Sequence, residues 1–112
     1  MSFIKPADKV TFATSSLEEA FNSLKEDDWL KKAILKAISK IKENIFCGEN
    51  IPKRLIPKEY VQKYNIENLY WYPLPNSWRL VYSIFTNEGE IKILAVIVDY
   101  YNHKNYERKF GY

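Results

Sequence analysis

The chain has 112 residues, enough for one domain with one core. Nine tyrosines, six phenylalanines and three tryptophans are far too many aromatics for a disordered chain, and the lone Cys47 has no internal disulfide partner. The formal net charge is only +3, but residues 31–64 carry nine Lys/Arg against three acidic residues, so the positive excess lies in the middle third.

No apolar run approaches the roughly 20 residues that span a bilayer, and Met1 to Pro6 lacks the apolar core of a signal peptide. With a single cysteine, these features lead us to expect a cytoplasmic protein without membrane contact.

Val10 to Thr14 reads as a short strand. Ser16 and Glu19 match a capping box that opens a helix over about 16–26, with Leu17, Ala20, Phe21 and Leu24 at helical spacing. Asp27 or Asp28 caps a second helix, whose stripe of Leu30, Ala33, Ile34, Ala37, Ile38, Ile41 and Ile45 is the strongest periodic signal in the chain. It ends near Phe46, before Gly48, and so short a connection between two helices predicts an antiparallel helical hairpin. Ile51 to Pro57 reads as loop, and Pro57 opens a short helix over about 57–64. Leu69–Leu74, Trp78–Phe85 and Ile91–Val98 read as strands, with turns at Pro75–Ser77 and Thr86–Gly89. The predicted fold is α+β: an N-terminal strand and a helical hairpin on one face of a small twisted antiparallel sheet, all in one domain spanning residues 1–112.

Arg79 stands in mid-strand among apolar residues, where a charge needs either a structural partner, such as Asp99 or Glu107, or a ligand. A guanidinium also matches the geometry of a phosphate. His103 is the only histidine, and an imidazole can take or give a proton at neutral pH, though surface and capping roles are equally open to it. Tyr106, three residues on, suits base stacking, phosphate orientation or plain core packing. Lys53, Arg54 and Lys58 form the densest cationic segment, fit to follow a nucleic-acid backbone or simply to be solvated. Tyr70 and Tyr72 alternate onto one strand face as stacking platforms, which assigns Trp71 to the core. A single His and a single Cys fall short of a zinc site, and three glycines cannot make a phosphate-cradling loop, so no cofactor is expected.

Leu74-Pro75-Asn76-Ser77-Trp78-Arg79-Leu80-Val81-Tyr82-Ser83-Ile84 resembles the central strand of RelE/ParE-type toxins, which reads aromatic-Arg-aliphatic-aliphatic-Tyr. The segment from Asp99 to Tyr112, with His103 and Tyr106, resembles the terminal His-x-x-Tyr segment of one subgroup. The likeness is specific over residues 69–112 and architectural over 10–46. It implies the toxin of a type II toxin–antitoxin system with a cognate antitoxin as partner. RelE-like members are metal-independent mRNA endoribonucleases that act mostly at the ribosome; ParE-like members inhibit DNA gyrase and cleave nothing. Carried onto this chain, the resemblance puts Arg79, His103, Tyr106 and Arg108 in the catalytic set and Lys109 beside them on RNA. The family's ribosome-dependent nucleases carry lysines on the strand before the central arginine. Tyr70 and Tyr72 stand there instead, so Arg108, Lys109 or Lys53 would have to supply that charge.

Overall fold

The computed structural model describes residues 5–87 and 92–110. It is an α+β domain whose five strands are arranged in the order β1-β5-β4-β3-β2. The strands are β1 (Lys9–Phe12), β2 (Glu49–Asn50), β3 (Tyr70–Pro73), β4 (Arg79–Asn87) and β5 (Lys92–Tyr101). The helices are α1 (Ser15–Asn22), α2 (Trp29–Glu43), α3 (Lys58–Tyr64) and α4 (His103–Phe110). No helix among the described residues is long and apolar enough to cross a membrane.

The sheet is mixed rather than antiparallel, because β1 runs parallel to β5, with Val10 beside Ala95 and Phe12 beside Ile97. Asp8 fixes this edge: its carboxylate accepts from Ile93 N–H at 2.6 Å while its own N–H donates to the Ile93 carbonyl at 2.9 Å. The remaining neighbours pair antiparallel. The expected turn at Thr86–Gly89 lies partly outside the described residues.

α1 is capped two residues earlier than the capping box suggests, since the Thr14 hydroxyl accepts the Leu17 N–H at 3.1 Å and is the N-cap in place of Ser16. Asp28 caps α2 by accepting the Leu30 N–H at 2.8 Å. The α2 stripe buries Leu30, Ile34, Ala37 and Ile41, and with Phe21 of α1 it packs on Leu80, Tyr82, Ala95 and Ile97. Burying each large aliphatic side chain of this kind contributes roughly 1.5–3 kcal/mol.

A second core fills the opposite face of the sheet. Val81 and Val98 meet Ile51, Ile56, Tyr60, Ile66 and Leu69, together with Tyr106 and Phe110 of α4. Helices therefore cover both faces, and β4 is buried from both sides: Leu80, Val81 and Tyr82 are all 0 % exposed.

One irregularity decides which side chains share a face. Val81 pairs with Asp99 and Tyr82 with Ile97, which leaves Val98 as the extra residue of a β-bulge. Because side chains alternate along a strand, one extra residue reverses the parity of everything after it. Asp99 and Tyr101 thereby come onto the face of Arg79 and Val81.

Candidate functional site

Arg79 opens β4, flanked by Pro73 on β3 and Tyr101 on β5. Its guanidinium carbon lies 4.1 Å from the centre of the Trp71 ring and 4.4 Å from the centre of the Tyr106 ring. Two aromatic faces thus hold the planar cation, each contact worth about 0.5–2 kcal/mol. Among the described residues no carboxylate comes within ion-pair distance of it. Asp99 accepts its neighbour's Tyr100 N–H at 2.8 Å, and Glu107 is engaged elsewhere. A guanidinium with stacked faces presents its N–H groups at the rim, the geometry that grips a phosphate.

Tyr106 is 1 % exposed and stacks on Phe110 with ring centres 4.4 Å apart. It serves as a wall against Arg79 rather than as an exposed stacking surface.

His103 is the first residue of α4, the helix that carries Tyr106, and follows Tyr101, the neighbour of Arg79, by two positions. The start of α4 is fixed by Asn102, whose side chain accepts the Asn105 N–H at 2.9 Å. The His103 Nε2 lies 2.7 Å from Glu107 Oε1, one helical turn on. With Nε2–H donating to that carboxylate, Nδ1 is left as a proton acceptor in a half-exposed ring. Glu107 is a partner of His103 that sequence reasoning did not point to. Its signal is the i, i+4 spacing from His103, whereas the sequence suggests it only as a partner for Arg79.

Among the described residues the cations divide into those without an ion pair and those engaged in one. Lys53 and Arg54 are exposed on the 3-10 turn Lys53–Leu55, and Lys58 is exposed at the start of α3. These elements belong to the layer on Arg79's face of the sheet. Arg108 is exposed on α4. Lys109 is ion-paired with Glu59 and lies over the Tyr60 ring, so it clamps α4 to α3 with its charge matched.

The three aromatics of β3 are all half-buried, Trp71 against one core and Tyr70 and Tyr72 against the other. Tyr70 and Tyr72 pair with Tyr82 and Leu80, which places them on the face covered by α1 and α2. Tyr70 stacks on Tyr82 with ring centres 5.5 Å apart, and burial pushes the Tyr72 phenol up from its ordinary pKa. Neither lies on the face of Arg79. Trp71, expected in the core, is half-buried on that face and packs against the second core.

Among the described residues no three His, Cys, Asp or Glu side chains gather closely enough to hold a metal ion. No family model, curated protein or solved structure matches the chain.

Proposed function

We propose that this chain is the RelE-like toxin of a type II toxin–antitoxin pair, a metal-independent endoribonuclease that cuts mRNA at the ribosome. The observation that carries the reading is Arg79: a guanidinium stacked between Trp71 and Tyr106 with no carboxylate partner among the described residues. A positive charge held that way is built to receive an anion.

The chemistry follows from the groups at hand. Arg79 grips the non-bridging oxygens of one phosphodiester. His103, oriented by Glu107, takes the proton of the adjacent 2′-hydroxyl, whose oxygen attacks phosphorus. The P–O5′ bond breaks, and the departing 5′-oxygen takes a proton from water at this open face. The products are a 2′,3′-cyclic phosphate and a 5′-hydroxyl. Lys53, Arg54 and Lys58 follow the flanking backbone, and Arg108 adds charge from α4.

Growth arrest with mRNA cut inside open reading frames, relieved when the product of the neighbouring frame is expressed alongside, is the expected result of induction. Arrest with intact mRNA would exclude the nuclease.

A second reading has its own support. Lys109 is neutralised by Glu59, and β3 carries no cation beside Arg79, so the phosphate would meet less positive charge than a strong nuclease supplies. A non-enzymatic interaction protein, ParE-like or inert, fits that shortage. Inhibition of DNA gyrase supercoiling by the purified chain would select it.

A further inference from the structure

The bulge at Val98 has a second effect. It turns Asp99 toward a cleft of about 300 Å³ whose walls include Thr14, Ser16, Leu17, Lys63 and Tyr64. The Asp99 carboxylate is half-buried and, among the described residues, has no ion-pair partner; its one hydrogen bond comes from the adjacent Tyr100 N–H at 2.8 Å. Burial raises its pKa above the ordinary value, while the more distant Lys109 and Lys63 pull the other way. A half-buried carboxylate without a direct ion pair is only partly compensated, and in a cleft such a group is a candidate for a ligand site.

The rest of the cleft narrows the ligand. Tyr64 supplies an aromatic ring, with the Lys63 ammonium 5.3 Å from its centre on an exposed, flexible stem. Leu17 and Val98 make apolar lining. Asp99 is the one carboxylate among the cleft's lining residues, and so the anionic acceptor it offers a ligand. An aromatic platform, an apolar lining, one anionic acceptor and one movable cation match a flat ring that donates N–H groups and carries a phosphate.

We propose that this cleft binds the base of an unpaired guanine nucleotide of RNA, stacked on Tyr64, donating N1–H and N2–H to Asp99, with its phosphate met by Lys63. The inference rests on the RNA-cleaving reading and names which base lies near the cut. Guanine presents two adjacent donors to one carboxylate, whereas uracil presents one.

The test is an NMR titration of the full chain with GMP, AMP, CMP and UMP. GMP is expected to shift the amides of Thr14, Ser16, Leu17, Tyr64 and Asp99 and to bind roughly tenfold more tightly than UMP, the worth of one extra charge-assisted hydrogen bond. Asp99→Asn removes that preference, and Lys63→Ala weakens all four nucleotides alike. Equal affinity for the four, or shifts confined to other residues, overturns the assignment without recourse to any variant. GMP preference in a chain that cuts no RNA supports the cleft and sinks the nuclease. Cleavage with no GMP at the cleft does the reverse.

Discussion

Arg79 and Asp99 carry opposite charges on one face of the sheet, diagonal to each other across β4 and β5, and do not form an ion pair. The diagonal spacing of about 7–8 Å is within reach of an arginine. The guanidinium is instead drawn to the β3 side, onto Trp71, with Tyr106 closing over it. Two opposite charges on one face that form no ion pair with each other each keep their hydrogen-bonding edge for a ligand of opposite character.

That arrangement makes Arg79 sensitive to shape as well as charge. Arg79→Ala is expected to lower RNA cleavage about a hundredfold, the typical cost of losing one group that stabilises transition-state charge. Arg79→Lys should recover little, because an ammonium neither stacks between two rings nor donates in a fork. Cleavage rates on a defined RNA, with circular dichroism to confirm folding, check both.

His103→Ala removes the proposed proton acceptor and should lower the rate by about 10²–10⁴-fold, the usual share of a general base. Glu107→Gln keeps the hydrogen bond but loses the carboxylate, and we expect a smaller fall of about tenfold. Single-turnover rates of the two variants and their double mutant provide the check: coupled losses are predicted, and independent ones would separate Glu107 from the mechanism.

Lys53, Arg54 and Lys58 are exposed, and under the proposed function they would meet RNA through charge alone. Replacing all three with alanine should flatten the dependence of log affinity on log salt by about two units, at roughly 0.7 for each phosphate of single-stranded RNA that is no longer neutralised. Filter binding of single-stranded RNA at several salt concentrations reads the slope.

Gly48→Ala tests the packing that carries the site. A methyl group there would meet the Trp71 carbonyl oxygen at 2.6 Å and the Tyr82 hydroxyl at 2.8 Å. That hydroxyl is buried, donates to the Ile45 carbonyl at 2.8 Å and accepts the Gly48 N–H at 2.9 Å. Backbone and a pinned tyrosine cannot yield cheaply, so a destabilisation of about 1–3 kcal/mol is expected on thermal unfolding.

Asp99 predicts a pH effect of definite sign. Its pKa is raised in the folded state, so the folded chain holds this proton to higher pH than the unfolded chain. The stability tied to that proton is complete below the unfolded pKa and fades as pH rises through the folded one. Asp99→Asn should therefore melt higher than wild type at neutral pH, and the gap should close below about pH 4.

Much of the scaffold was legible because its signals are local. The isoleucine stripe from Leu30 to Ile45 announces α2, and Pro57 announces α3 at its observed place. The direction of β1 was not legible, since two helices separate it from β2 and no short-range pattern records a parallel partner. The bulge was hidden because Val96, Ile97 and Val98 are all apolar, and an extra residue in such a run leaves no break in alternation. Tyr70, Trp71 and Tyr72 posed the same difficulty: alternation sorts them into two sets, but only the pairing with β4 tells which set lies beside Arg79.

The end groups of RNA cut by the purified chain test the account most directly. Incubation with ribosomes programmed by a labelled mRNA should yield fragments ending in a 2′,3′-cyclic phosphate, and Arg79→Ala should slow their appearance about a hundredfold. Intact mRNA with the wild-type chain, or equal cleavage by the folded variant, would contradict the assignment of Arg79 as the phosphate-gripping cation.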